Sequence, residues 1–100
     1  MTVLVRVTNA GNSVLIAVSG RFDIHNHREF KNSYQKEKPG ATYTIDLSKT
    51  EYMDSSALGM LLLLRSFAGN DAANIIISGS SEAFKKYFSV TNFDSLFLFE

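Results

Sequence analysis

The residues best placed to do chemistry are two adjacent hydroxyls beside a carboxylate, Asp54-Ser55-Ser56, directly ahead of the apolar run that continues through Ala57, Leu58 and Met60 to Leu64. The first turn of a helix has backbone N–H groups without intrahelical acceptors, and the helix dipole concentrates partial positive charge there. An anion is favoured at that end. Asp54 suits the N-cap position, which puts Ser55 at the first helical position with its hydroxyl near the surface. On these residues alone capping is the ordinary reading, and the tripeptide by itself points no further.

No other cluster offers comparable chemistry. His25-Asn26-His27 places two histidines one residue apart without a cysteine, a poor zinc set, so no metal is expected. No histidine stands beside Ser55 in sequence and no pair of carboxylates is suitably placed, so no enzymatic activity is expected. Gly79-Ser80-Ser81 lacks the lysine of a phosphate-binding loop and reads as a helix cap, so no cofactor is expected.

The elements that must carry Asp54 and Ser55 follow from patterning. Residues 3–7 open as a strand that ends at Asn9-Ala10-Gly11-Asn12, and residues 14–18 form a second, antiparallel strand stopping at Ser19-Gly20. A helix is predicted over 25–37, with Ile24, Phe30 and Tyr34 sharing an apolar face and Pro39-Gly40 ending it. Residues 42–47 read as a strand and Ser48-Lys49-Thr50 as the turn leading to the second helix, which runs from Asp54 or Ser55 to about Ala68 before Gly69-Asn70. Residues 74–79 give a further strand, 81–88 a third helix and 93–99 a closing strand. Gly59, in the interior of a helix, predicts close packing against a neighbouring backbone or a partner, with packing within the domain the more conservative reading. Met60, Leu63 and Phe67 are candidates for an apolar partner surface, the more ordinary expectation being that the third helix or the termini cover them. The whole is an α/β domain spanning 1–100: a mixed four- to five-stranded sheet with an N-terminal hairpin and about three helices packed on it.

Composition narrows the function. Ten basic and ten acidic side chains give no net charge, which disfavours a nucleic-acid partner. The absence of cysteine excludes disulfides and thiolate chemistry. The longest uncharged apolar run is about eight residues against roughly 20 needed to span a bilayer, so no membrane span is predicted. Residues 1–7 show no secretory leader, and a cytoplasmic location is expected.

The string Asp46-Leu47, a polar and apolar spacer, then Asp54-Ser55-Ser56-Ala57-Leu58-Gly59 resembles the signature of STAS-domain anti-sigma factor antagonists, with Ala57 where a glycine is commoner. Gly20-Arg21-Phe22-Asp23 is a weaker match to the family's Gly-Glu-Leu-Asp: the glycine and aspartate agree, Arg21 and Phe22 depart. The resemblance implies a bacterial partner-switching regulator. Its unmodified form would capture an anti-sigma factor/serine kinase or related regulator, phosphorylation of Ser55 (or, alternatively, Ser56) would release it, and a serine phosphatase would reset it. It also implies a partner-binding surface at Asp23, Asp54, Ser55, Ser56, Leu58 and Gly59, and a monomer when free; Asp23 reads equally well as an N-cap of the first helix. The competing implication is a STAS subunit of a lipid-transport ABC complex, docked on its ATPase without any phosphorylation.

Overall fold

In a computed structural model, which describes residues 2–100, strand β1 (Thr2–Thr8) turns back into β2 (Ser13–Phe22) with Val5 opposite Ile16. Helix α1 (His27–Tyr34), β3 (Thr42–Asp46), β4 (Thr50–Met53), α2 (Ser55–Phe67), β5 (Asn74–Ser78), α3 (Glu82–Val90) and β6 (Leu98–Phe99) follow. The sheet runs β1-β2-β3-β5-β6, antiparallel at the hairpin and parallel thereafter, with β4 off this path and parallel to the end of β2.

Alternate residues of the central strands turn to one face: Val14, Ile16 and Val18 of β2, Tyr43 and Ile45 of β3, Ile75 and Ile77 of β5 are all buried. Against them lie Phe30 and Tyr34 of α1, Leu58, Leu61 and Leu64 of α2, and Phe88 of α3. Each such aliphatic or aromatic side chain contributes about 1.5–3 kcal/mol by leaving water. An aromatic chain ties helices to sheet, from Phe22 to Phe30 (5.1 Å), Phe30 to Tyr34 (5.9 Å), Tyr34 to Phe67 (5.1 Å) and Phe67 to Tyr43 (6.4 Å). The chain joins β2, α1, α2 and β3 and reaches α2 at its last residue, Phe67; the first turn of that helix is anchored by the buried Ala57 and Leu58.

Several predicted boundaries move, each for a local reason. Strand β2 does not stop at Gly20 but continues to Phe22, because Gly20 at φ +80° lets the strand bend and pair with a second neighbour. The stretch 50–53, expected from sequence to be the end of a turn and the loop entering the second helix, is that neighbour: Gly20 faces Thr50, Arg21 faces Tyr52 and Phe22 faces Met53. The first helix is shorter than expected. A tight turn at Ile24–Asn26 precedes it, which swings Ile24 out of the apolar face to 60% exposure. The closing segment is mostly not a strand: Asn92, in the left-handed region at φ +62°, and a turn at Phe93–Ser95 leave only Leu98–Phe99 paired with β5.

Gly79 is the point at which the loop after β5 meets the loop after β3. Its φ is +69°, and a Cβ there would sit 2.8 Å from both the amide nitrogen and the Cβ of Ser48, and 3.0 Å from Oδ1 of Asp46. Gly79→Ala is expected to lower unfolding free energy by roughly 2–4 kcal/mol, combining left-handed strain with a clash against backbone. Urea denaturation checks this, and a loss under about 0.5 kcal/mol, the scale of a neutral surface change, would contradict it.

Candidate functional site

The parallel pairing of β2 and β4 carries both strands to a common end. Phe22 and Met53 are paired and both buried, so the residues that follow, Asp23 and Asp54, leave the sheet side by side. Each begins a helical segment as its N-cap.

Asp54 is extended (φ −129°, ψ −171°), and its Oδ1 accepts from the backbone N–H of Ser56 at 3.0 Å and of Ala57 at 3.4 Å. Two of the four free amides of the first turn are thereby satisfied, which is why the helix starts at this residue. Ser55 is the first helical residue and is exposed; Ser56 is half-buried. The Ser55 side chain makes no hydrogen bond among the described residues, so the cap is complete without it.

Asp23 is only 5% exposed and heavily engaged. Its Oδ1 accepts from the backbone N–H of His25 at 3.1 Å and lies 3.0 Å from His25 Nδ1, while Oδ2 accepts from Arg21 Nε at 3.1 Å. Asn26 Oδ1 accepts from the Asp23 amide at 2.7 Å, closing a reciprocal capping box. Burial alone would raise the Asp23 carboxyl pKa. The His25 ring and amide and the Arg21 guanidinium outweigh it, and hold the group below its ordinary value of 3.8.

Of the residues predicted as a partner surface, the structure brings Asp23, Asp54, Ser55 and Ser56 to one end of the sheet and divides them by accessibility. Ser55 and Gly59 are exposed, one helical turn apart on the same face, and Asp54 and Ser56 are half-buried. Asp23 and Leu58 are buried, so they shape the surface from beneath. The expectation that Gly59 packs closely within the domain is corrected: nothing lies within 4 Å of the position a Cβ would take. The apolar face of α2 also shifts. Met60 is in the core and Phe67 packs on Tyr34 and Tyr43, leaving Leu62 and Leu63 as the exposed pair at 40% and 53%.

Two residues of this site escape a reading of the sequence alone. Arg21 lies with its guanidinium carbon 4.0 Å from the centre of the Tyr52 ring, a cation–π contact that exists only because β4 pairs with β2. Alternation of Thr50 and Tyr52 was the available signal, and the polar turn before it and the cap after it hid it.

A family model described as Mlab, STAS domain, matches residues 5–99. A STAS-domain containing protein of Pseudomonas aeruginosa (strain UCBPP-PA14) is 40% identical over 88 residues, which is 87% of this chain and 87% of that protein. Two solved structures share the fold at low identity. An anti-sigma factor antagonist from Mycobacterium paratuberculosis superposes with a TM-score of 0.79 at 20% identity, covering 98% of this chain and 83% of that one. The Bacillus cell fate determinant SpoIIAA in its phosphorylated form gives 0.69 at 17% identity, covering 99% and 91%.

The geometry yields two expectations. Asp23→Asn lowers the melting temperature at neutral pH, and the gap to wild type narrows as the pH falls below about 3.9 through the depressed pKa of the folded state, where the native carboxylate is itself neutralised. A gap independent of pH would contradict the assignment. Gly59→Ala raises unfolding free energy by about 0.5–1 kcal/mol in denaturant titration, since the methyl meets open space and the helix gains propensity; destabilisation would show that the position is packed after all.

Proposed function

Because this chain belongs to the STAS-domain family, we propose that it is a regulator of the anti-sigma factor antagonist kind, switched by reversible phosphorylation of Ser55. Unmodified, it captures an anti-sigma factor/serine kinase or related regulator; modified, it lets that partner go; a serine phosphatase restores it. The observation that carries this reading is Ser55 itself, an exposed hydroxyl at the first position of α2 whose capping is already done by Asp54. Ser56, half-buried, is the less accessible acceptor.

Phosphorylation adds about −1.5 to −2 charges, repelled by Asp54 and attracted by the positive end of the helix dipole. These act locally and in opposite directions, and the core beneath involves neither. The energetic effect falls on the interface, where a dianion covered by a partner must be paired or stripped of water. Each 1.4 kcal/mol of that penalty is about tenfold in affinity. Gly59 supports the same reading: its bare backbone, one turn from Ser55, leaves room for a partner to come close. Among the described residues no helix is long and apolar enough to cross a membrane.

The test is partner capture by Ser55→Ala and Ser55→Asp, with mass spectrometry of the protein from its own cells. Ser55→Ala should bind the regulator constitutively, and Ser55→Asp should bind it about tenfold or more weakly. Equal capture by both variants, with no phosphate on either serine, would overturn the proposal; copurification of a transporter ATPase in that case would fit the lipid-transport subunit instead.

A further inference from the structure

The strand ends hold more hydrogen-bond donors than they use. Arg21 spends Nε on Asp23, and its terminal nitrogens donate to no group among the described residues. Asn26, fully buried, spends Oδ1 on the Asp23 amide and leaves Nδ2 without a partner. Both residues line one open depression of about 390 Å³ together with Gly20, Asp23 and His25. The local carboxylates do not take up this surplus: Asp23 is already bonded on both oxygens, and among the described residues Arg21 forms an ion pair with Asp23 and none with Asp54.

We infer that Arg21 is the charge partner of a phosphate on Ser55, clamping the modified side chain against the ends of β2 and β4. The inference rests on the proposed modification of Ser55 and gives it a structural consequence. Arg21 stands opposite Tyr52 and its side chain leans along β2 toward Asp23, the direction in which β4 continues through Asp54 to Ser55. From Tyr52 to Ser55 is three residues, at most roughly 10 Å of chain. An arginine held over the Tyr52 ring and a phosphoserine reaching back from the helix close that gap from opposite sides. The guanidinium is held by Asp23 and Tyr52 before any phosphate arrives, and its two free amino groups form the planar fork that suits phosphate oxygens. Modification then removes two features from the partner's reach at once, the serine hydroxyl and the exposed cation.

The test uses the whole chain with phosphoserine installed at position 55 during translation, titrated by phosphorus NMR over about pH 4 to 8, around the second phosphate ionisation near 6. In the wild-type background that ionisation should fall below the value in a short phosphoserine peptide. Arg21→Gln should raise it by about half a unit or more, and Arg21→Lys by less, because a point charge keeps part of the attraction. Identical titrations for wild type and Arg21→Gln would overturn the inference. A second readout needs no variant: the Arg21 side-chain signals in proton–nitrogen NMR should move on phosphorylation, and signals unchanged between the two forms would overturn it equally. Since the phosphate is installed in translation, finding Ser55 unmodified in cells would sink the switch and leave this result standing.

Discussion

The pairing of β4 with the last residues of β2 is the constraint on which the candidate site depends. The first half of β2 is hydrogen-bonded to β3, and its last residues, beyond the bend at Gly20, to β4. Gly20 N–H donates to Lys49 O at 2.9 Å and Thr50 Oγ1 to Val18 O at 2.7 Å, so the change of partner is stitched on both sides. Phe22 and Met53 are buried beneath this short ribbon, and because side chains alternate, Arg21, Asp23, Tyr52 and Asp54 fall on its other face. A polar constellation thereby sits on an apolar footing, and the two helix starts it caps are set by strand register rather than by loop conformation.

That arrangement separates the groups that hold the fold from the groups left free at the rim. Phe22, Phe30, Tyr34, Phe67 and Tyr43 form a continuous aromatic chain that fixes α1 and α2, and none of them depends on the charge state of the rim. Within the rim, Asp23 and Asp54 are spent on capping. Left unspent at the surface are the Ser55 hydroxyl, the terminal nitrogens of Arg21 and the bare backbone at Gly59, and beneath them the Asn26 Nδ2 donor. A surface whose capping carboxylates are engaged and whose exposed groups are free can change its charge without changing its fold, which is what the proposed switch requires.

The parts of this architecture governed by local chemistry were legible in the sequence. Asp54 as an N-cap, the start of α2 at Ser55, the first hairpin and the alternation of strand and helix all follow from propensity, capping and periodicity over short windows. The parts that were not legible depend on partners distant along the chain. Residues 50–53 are a strand only because β2 is long enough to receive them, and Arg21 meets Tyr52 only through that pairing. Ile24 fits the apolar period of α1, yet the capping box at Asp23 and Asn26 tightens the chain and turns it outward. Gly59 looked like a packing glycine because helices usually exact a reason for one, and whether anything lies opposite is a tertiary fact. The site was readable as a place in the sequence; its division into buried scaffold and exposed surface was not.

The central claim is that charge added at the head of α2 is absorbed by the rim while the interior stays as it is. The most direct measurement is a residue-by-residue comparison of backbone amide chemical shifts between the unmodified chain and the same chain carrying phosphoserine at position 55. The account predicts changes confined to residues 21–27 and 52–60, with the amides of β1, β3, β5 and α3 unmoved. Displacements spreading through Ile45, Leu61, Ile77 and Phe88 would contradict it, because the modification would then be working by rearranging the core.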